Sequence, residues 1–360
     1  MDYAGRISKL ASKLDDEGIL AALITAPENI HYLTGAPFVR GSAGKLLLVW
    51  KEGHATLILT ELDYEEAKDS VAGGLELIKT NLFERPLERL RSILPSSSKV
   101  GYEEGAMSAA MNDRIGANYV LVPLGGAIEK MREIKDKEEI SMIEKAQSIN
   151  DQAFEKALAN FREGMTELEI AAELEYMIRR YGGEAYAFET IVASGPRGVY
   201  PHGMPSNRRP SGGESVVIDF GAKYGGYCSD MTRTVFFGEP KPELRKMYEA
   251  VRDAQEAAIE EVSIGVTGKE LDDVARRVIG DHGYGKYFVH GLGHGVGIDI
   301  HEAPTVSASN PNPLSPGNVI TIEPGVYVPG VGGVRIEDLL VVTEGGRRNL
   351  TKFSREIVVV

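Results

Sequence analysis

The chain has only one cysteine, Cys228, which excludes an intramolecular disulfide and a zinc site built from several thiolates. We interpret Cys228 as a small packing residue, in a protein of a reducing compartment such as the cytoplasm. No apolar run approaches the ~20 residues that cross a bilayer, and the opening MDYAGRISKLASKLDDEG is an amphipathic charged pattern, not a signal peptide. Basic residues are also in deficit. The net charge of -13 argues against nucleic acid as a partner, because phosphate backbones demand basic patches.

The first 130 residues alternate helical and strand-like patterns. An opening helix has apolar residues at Ile7, Leu10 and Leu14. Strand-like runs follow, with helical stretches between the later ones: LAALIT, KLLLVW, ATLILT, LELIK, KVGYEE and YVLVPL. This alternation predicts a small α/β domain with a mixed sheet. The charged segment EKMREIKDKEEI then passes into a helical period, so we place a boundary there and predict domains of residues 1–130 and 131–360.

The second domain contains an internal repeat. Thr166 with Glu169 is matched 101 residues later by Thr267 with Glu270, and this Thr-x-x-Glu spacing caps a helix reciprocally. In each copy the apolar residues that follow share one helical face, and a glycine ends the pattern. Another long helical pattern precedes each capped helix, and strand-like runs follow it. The repeat therefore predicts two halves, each built of two helices and then strands.

Each half also supplies two acids in apolar or glycine-rich surroundings. GGESVVID ends at Asp219 and PGNVITIE at Glu323, and a following strand bears Asp230 or Glu337. His294 lies in HGLGHGVGIDIHE, where glycine at alternate positions lets the backbone approach a ligand closely. Unpaired charges in such runs are costly. Since adjacent strands lie about 4.8 Å apart, the five side chains could together hold two divalent metal ions. This hard ligand set favours Mn²⁺ and leaves Co²⁺, Zn²⁺ and Fe²⁺ open.

Several segments resemble the signatures of the pita-bread metallopeptidases: IDFG…SDMTRT, HGLGHGVG…HEAP, TIEPGVY and GGVRIED. The similarity is to the branch that includes prolidase (Xaa-Pro dipeptidase) and aminopeptidase P, and it extends to NIHYLTG, MREIKDKEEI and LTKFSRE. The resemblance implies a two-domain α/β chain, with a creatinase-like N-terminal domain and a pita-bread α+β domain that has a pseudo-twofold repeat. The implied activity is metal-dependent hydrolysis of the Xaa-Pro bond at peptide N-termini by a hydroxide that bridges two metal ions.

The resemblance also implies a role for each metal ligand. Asp219 would chelate one ion, and His294 and Glu323 would hold the other. Asp230 and Glu337 would bridge the two ions. The carboxylate of Glu323 would in addition handle the proton, as suits an acid beside bound water.

Two further residues near the acids gain implied roles. Arg335 matches an arginine that could orient the bridging acids or meet a substrate carboxylate. Thr232 would hydrogen-bond the Asp230 carboxylate or the bridging water.

The remaining implied roles concern the substrate. His202, in YPHGMPSNRRP, matches a histidine that contacts its proline end, and His301 matches one that polarises the carbonyl or steadies the oxyanion. The bond before proline lacks an N–H and has an appreciable cis population, so it needs a pocket fitted to the ring. Tyr200 is a candidate wall of that pocket, and we expect His290 to shape it.

One position departs from the family pattern. Many archaeal and bacterial prolidases of this size have an arginine just after the His-Glu-x-Pro motif, where it can bind the free carboxylate of a dipeptide. This chain has Thr305 there, although Arg197, Arg208 or Arg209 could replace the missing arginine. Dipeptides and longer peptides that begin Xaa-Pro therefore stay open as substrates.

Two alternatives share the expected fold. A creatinase-like hydrolase and a non-catalytic pita-bread binding module both lack the metal ligands, so the presence of all five argues against them. The expected partners are small peptides with proline at the second position, with neither nucleic acid nor membrane involved. Family members usually pair, so we also expect a homodimer in which loops of the N-terminal domain close the neighbouring site.

Overall fold

The computed structural model describes residues 1–36, 45–71, 74–81 and 86–360. These residues divide into two compact units, Met1–Arg132 and Glu133–Val360. Within the described ranges, no helix is both long and apolar enough to pass through a bilayer.

The first unit is built around a mixed sheet with the strand order β4-β3-β2-β1-β5-β6 among the described residues. Its strands are β1 (Ala21–Ile24), β2 (Lys45–Trp50), β3 (Ala55–Thr60), β4 (Glu76–Thr80), β5 (Lys99–Tyr102) and β6 (Val120–Pro123). Its helices are α1 (Tyr3–Asp16), α2 (Pro27–Thr34), α3 (Glu61–Ser70), α4 (Pro86–Ile93), α5 (Ala109–Gly116) and α6 (Ala127–Glu133). The strand-like runs of the sequence all form strands of this sheet, whereas the short helices α2, α5 and α6 were not predicted. Buried Leu23, Leu48 and Ile58 contribute to its core.

The second unit has two halves of similar construction. The first half contains α7 (Lys137–Leu158), α8 (Glu167–Arg180), β7 (Ala185–Tyr186), β8 (Ile191–Ser194), β9 (Glu214–Phe220), β10 (Ala222–Tyr224), β11 (Tyr227–Cys228) and β12 (Met231–Phe237). The second half contains α9 (Pro242–Glu261), α10 (Gly268–Asp281), β13 (Gly293–Gly295), β14 (Glu302–Val306), β15 (Val319–Ile322), β16 (Gly325–Val328), β17 (Gly332–Arg335), β18 (Asp338–Thr343), β19 (Gly346–Asn349) and β20 (Val358–Val359). Single 3₁₀ turns at Gly195–Val199 and Gly285–Tyr287 complete the unit.

The predicted helix caps are confirmed. At the start of α8, the Thr166 hydroxyl accepts the Glu169 N–H at 3.1 Å, and the Glu169 carboxylate accepts the Thr166 N–H at 2.7 Å. An equivalent reciprocal pair starts α10. Both helices are followed by a glycine with positive φ, Gly182 at 97° and Gly283 at 85°, which is the conformation that ends helices with least strain in glycine. These local signals fix where the helix pair of each half begins and ends.

Each half packs its helices on one sheet. In the first half α7 and α8 cover the sheet β20-β12-β9-β8, to which the end of the chain adds β20, and Phe154 and Leu174 share a core with Val216. In the second half α9 and α10 cover the sheet β14-β13-β15-β18-β19, with Leu271 and Ile320 in the core.

The acids lie where antiparallel strands begin and end, as the sequence predicts. On β9, Asp219 lies opposite Thr232 of β12, and Asp230 immediately precedes β12. In the second half β15 and β18 pair antiparallel, with Glu323 directly after β15 and Glu337 directly before β18. A small hairpin is inserted between the two acids of each half. Both acids of a half therefore lie at the same end of one strand pair.

Candidate metal centre

The structure brings all five predicted metal ligands to one cavity of about 700 Å³. The predicted substrate residues His202, His290 and His301 and the predicted arginine, Arg335, line the same cavity. Its apolar lining includes side chains that the sequence analysis did not identify: Phe188, Ile191, Val289 and Ile300. Tyr200, predicted as a wall, is 58% exposed and is not among the lining residues.

The ligand atoms of three residues are close enough to share one ion. One oxygen or nitrogen from each of Asp230, His294 and Glu337 lies within 4.8 Å of the others. His294 Nε2 is 3.5 Å from Asp230 Oδ2 and 3.3 Å from Glu323 Oε1. An imidazole thus faces carboxylates contributed by both halves of the unit.

Hydrogen bonds orient the His294 ring. Its Nδ1 lies 3.1 Å from Gly295 O, so a neutral ring carries its proton on Nδ1 and turns the Nε2 lone pair toward the carboxylates. The backbone N–H of His294 donates to Thr321 Oγ1 at 3.0 Å, and that hydroxyl donates to Glu323 Oε1 at 3.1 Å. A Cβ at Gly293 would lie 2.1 Å from Thr321 O, which explains why glycine precedes the ligand histidine.

The electrostatics of the cluster are unfavourable without a counter-charge. Burial raises the pKa of Asp230 and of Glu337 well above the ordinary range, and the neighbouring carboxylates raise both further. Burial also raises the pKa of Glu323 to about 7, although Arg335 opposes this shift. Burial lowers the pKa of His294, which keeps the ring neutral. The cluster consequently binds protons where isolated carboxyl groups would be ionised.

The residues present fit divalent cations. Asp219 Oδ1 and Asp230 Oδ1 are buried and accept no hydrogen bond from the described residues. Buried polar atoms without a partner are rare in native proteins, and each one calls for an explanation. Bound cations would supply both the missing partners and the missing positive charge. Four carboxylates and one imidazole form an oxygen-rich donor set of the kind that hard divalent ions prefer.

Arg335 connects the acids to the surrounding protein. It donates through Nη2 to Asp219 Oδ2 at 2.7 Å and through Nε to Thr232 Oγ1 at 3.1 Å. Although burial alone would lower the pKa of Arg335, Tyr327 and then Asp219 hold it well above the usual range. Arg335 thus holds Asp219 directly and remains a cation inside the cluster.

Thr232 has a different carboxylate partner from the predicted one. Its hydroxyl donates to Glu337 Oε2 at 2.8 Å and not to the Asp230 carboxylate. The physical reason is that the Glu337 N–H donates to Thr232 O at 3.1 Å, which places the two residues side by side. Thr232 therefore links Arg335 to Glu337.

A tyrosine that sequence reasoning missed completes this network. Tyr327 accepts a hydrogen bond from Arg335 Nη1 at 2.7 Å, and its hydroxyl lies 3.0 Å from His290 Nε2. Burial, followed by Arg335, lowers the pKa of His290 to about 4, so this ring is neutral. The only signal for Tyr327 in the sequence was its position in TIEPGVYV, four residues after Glu323.

The two other histidines lie at the cavity wall. The His301 ring packs edge-on against the His294 ring with centroids 4.3 Å apart, and burial followed by His294 lowers the pKa of His301. His202 lies in the segment between β8 and β9, next to Pro201, whose carbonyl accepts from Arg335 Nη1 at 3.1 Å. Both residues therefore line the cavity that the acids also line.

Three arginines could in principle replace the family arginine that is absent at position 305, but each has another partner. Arg197 donates to the buried carboxylate of Glu167, and Arg208 Nη2 donates to both oxygens of Glu214 at 2.8 Å. Arg209 donates to a backbone carbonyl. None of the three lines the cavity. The expectation that one of them replaces the family arginine is therefore not supported by these contacts.

Comparisons with known proteins point to one family. Residues 141–344 match metallopeptidase family M24, and residues 6–134 match the creatinase/prolidase N-terminal domain. The chain is 42% identical to the Xaa-Pro dipeptidase of Pyrococcus furiosus over 98% of this chain and 99% of that protein. Among solved structures it is similar to an Xaa-Pro dipeptidase from Bacillus anthracis, with a TM-score of 0.92 and 34% identity over 100% of both chains. It is also similar to an X-Pro aminopeptidase from Thermotoga maritima, with a TM-score of 0.86 and 38% identity over 95% of this chain and 98% of that chain.

These similarities confirm the predicted fold class and the predicted family resemblance. The chain belongs to metallopeptidase family M24 and joins its M24 domain to a creatinase/prolidase N-terminal domain.

Proposed function

We propose that this chain is a metal-dependent exopeptidase that hydrolyses the Xaa-Pro bond at the N-terminus of peptides. The observation that carries the proposal is the buried cluster of acids around His294, in which two carboxylate oxygens accept no hydrogen bond from the described residues. The names of the similar proteins, Xaa-Pro dipeptidase and X-Pro aminopeptidase, supply the substrate class.

Five residues would hold two divalent ions. Asp219 would contact one ion, and His294 with Glu323 the other. Asp230 and Glu337 would contact both. When bound, such a pair of ions polarises a substrate carbonyl and makes water a nucleophile at neutral pH.

Other roles belong to the chain's own side chains. Glu323, held by a hydrogen bond from Thr321 to its Oε1, would take the proton of the attacking water and pass it to the leaving nitrogen. The neutral imidazole of His301 would donate its N–H to the carbonyl oxygen as negative charge develops there. His202 would contact the proline end of the substrate. Arg335 would hold Asp219 in place and preserve the cluster geometry.

We further propose that the enzyme accepts peptides longer than a dipeptide. A strict dipeptidase needs a cation to pair with the free carboxylate that lies close to the scissile bond. Arg335 is the one guanidinium among the residues that line the described cavity, and four of its five N–H groups already donate to Asp219, Thr232, Tyr327 and Pro201 O. The uncharged Thr305 takes the place where many relatives of this size have arginine. The free carboxylate of a dipeptide therefore adds little binding free energy in this cavity.

Three finer features rest on the family resemblance and on the ligand chemistry. Mn²⁺ is the proposed ion, because four carboxylates outnumber the single imidazole and no thiolate is present in the set. The proposed assembly is a homodimer, and a monomeric mass by light scattering at micromolar concentration would contradict it. The proposed compartment is the cytoplasm.

Matched peptides test the function and the substrate length together. The Mn²⁺-loaded protein should hydrolyse Ala-Pro-Ala and Ala-Pro-amide at least as fast as Ala-Pro, and it should leave Ala-Ala-Ala intact. The amide removes only the carboxylate charge, so it isolates that one interaction. A large preference for Ala-Pro over its amide would refute the proposal on length. Absence of hydrolysis of every Xaa-Pro peptide would refute the proposed function and return attention to a metal-free hydrolase or a binding module.

A further inference from the structure

A fully buried carboxylate lies outside the cavity and takes no part in the chemistry above. Glu167 is the first residue of α8 and is 0% exposed. It does not line the cavity and is not among the predicted ligands. Because a buried charge is costly unless it is paired and hydrogen-bonded, its partners indicate what it does.

Glu167 accepts hydrogen bonds from two separate points of the chain. Its Oε1 accepts the Ser194 N–H at 2.8 Å and the Ser194 hydroxyl at 2.7 Å. Its Oε2 accepts the Ser206 N–H at 3.0 Å and the Ser206 hydroxyl at 2.6 Å, and Arg197 donates to the same oxygen. One carboxylate thus joins the end of β8 to a point twelve residues later.

The segment between these two points carries His202. Near its middle, Arg335 Nη1 donates to Pro201 O at 3.1 Å. The segment also approaches β17 so closely that a Cβ at Gly198 would lie 2.8 Å from the Gly333 nitrogen. We call residues 195–205 the His202 loop. Glu167 joins its two ends, and the contacts with Arg335 and Gly333 hold its middle against the strand that carries Arg335.

The repeat shows that helix capping does not require this carboxylate. The helices α8 and α10 start with the same reciprocal Thr–Glu cap. The position of Glu167 in α8 corresponds to Gly268 in α10, where a Cβ would lie 2.4 Å from Thr305 O. The second cap forms with glycine at that position. The carboxylate of Glu167 therefore serves the His202 loop and not the helix.

We propose that Glu167 is a positioning residue that holds the His202 loop so that His202 faces the substrate. The inference rests on the proposed function, in which His202 contacts the proline end of the peptide. A carboxylate suits this role because it is acceptor-only and offers about four lone-pair sites to donors from both ends of the loop. A glutamine there would turn an NH₂ group toward existing N–H or O–H donors.

The first test compares Glu167→Gln with Glu270→Gln, both in the metal-loaded protein. Glu270 caps α10 as Glu169 caps α8, so the control makes the same Glu→Gln change in the first turn of a helix without touching the His202 loop. Glu167→Gln should lower kcat/KM for Ala-Pro-Ala by on the order of 10²-fold, as misplaced binding groups commonly do. The control should stay within about twofold of wild type, and both variants should keep the wild-type metal content.

A double-mutant cycle separates positioning from a general structural effect. In a His202→Ala background, the loss caused by Glu167→Gln should shrink to about twofold or less, because the loop no longer presents the imidazole. Equal losses in both backgrounds would overturn the proposal. Should Glu167→Gln fail to fold, Ser206→Ala removes a single donor and keeps the charge paired. The smaller loss of kcat/KM that Ser206→Ala causes should also disappear in the His202→Ala background. If that loss persists there, the proposal is contradicted.

Amide hydrogen exchange measures how firmly the His202 loop is held, without any assay of activity. Amides of Ser194, Ser206 and the His202 loop should exchange at least about tenfold faster in Glu167→Gln than in Glu270→Gln. Unchanged exchange would overturn the proposal even where activity falls. If the wild-type protein cleaves no Xaa-Pro peptide, the proposed function fails, while the exchange experiment still decides whether Glu167 holds the loop.

Discussion

Removal of metal should make the protein less stable as the pH rises. In the metal-free cluster the pKa of Asp230, Glu323 and Glu337 is raised, with burial as the first cause in each case. A folded chain then keeps these carboxyl groups protonated at a pH where the unfolded chain ionises them. The stability contribution is complete below the unfolded pKa and is lost as pH rises through the folded pKa. Bound cations stabilise the ionised form and should remove this loss.

The magnitude follows from Glu323. Its pKa rises from an ordinary 4.5 to about 7 in the folded protein. This shift is roughly 3 kcal/mol in total, of which about 1 kcal/mol is lost between about pH 6.5 and 8. Asp230 and Glu337 each contribute a further loss of stability, at most about 1.4 kcal/mol per pH unit, as long as the carboxyl stays protonated in the folded protein. His290, His294 and His301 have lowered pKa values and act in the opposite sense. Each regains up to about 0.4 kcal/mol between pH 6.5 and 8, which offsets the loss at Glu323, so Asp230 and Glu337 carry the net decrease in this window.

Calorimetry with and without metal checks this prediction. Chelated and dialysed protein should unfold at a clearly lower temperature at pH 8 than at pH 6.5, and reconstitution with Mn²⁺ should remove most of the difference. Glu323→Gln is the matched control, because it deletes one titrating group and should flatten the metal-free dependence by about 1 kcal/mol. Equal pH dependence with and without metal would show that these carboxyl groups do not titrate with raised pKa values in the metal-free protein.

Three further predictions concern single side chains. Asp230→Ala or Glu337→Ala should abolish bound metal and hydrolysis together, as measured by elemental analysis and peptide assay; full hydrolysis in either variant would contradict the two-metal assignment. Thr305→Arg should raise the kcat/KM ratio of Ala-Pro to Ala-Pro-amide by about tenfold, the effect of one charge-assisted pair, and an unchanged ratio would argue against a role for this position in substrate length. Arg335→Ala should lower the free energy of unfolding of the metal-free protein by about 3–5 kcal/mol in urea titrations, because Asp219 loses its buried partner, and a loss below about 1 kcal/mol would contradict that.

Features that depend on local pattern could be predicted from the sequence. The Thr166–Glu169 cap, the glycine after α8 and the placement of Asp219 and Glu323 at strand ends all follow from spacing over a few residues. The convergence of the acids followed from the repeat, because two similar halves bring equivalent strand ends together. The short helix α2 was missed, since its eight residues contain too few turns to show a period.

Features that depend on distant contacts could not be predicted. Thr232 and Glu337 are 105 positions apart, and nothing near Thr232 in the sequence indicates which carboxylate it bonds. Tyr327 gains its role from Arg335 and His290, which come together only in the fold. Glu167 resembles an ordinary acid in the first turn of a helix, where acids are favoured by the helix dipole. Only its complete burial reveals the bonds to the His202 loop.

If five side chains hold two metal ions in one cavity, both ions should be visible by anomalous diffraction at the manganese edge, from crystals of the Mn²⁺-loaded protein. We expect two anomalous peaks about 3.5–4 Å apart, one beside Asp219, the other beside His294 and Glu323, with Asp230 and Glu337 contacting both. A single peak, or peaks away from these side chains, would contradict the two-metal assignment.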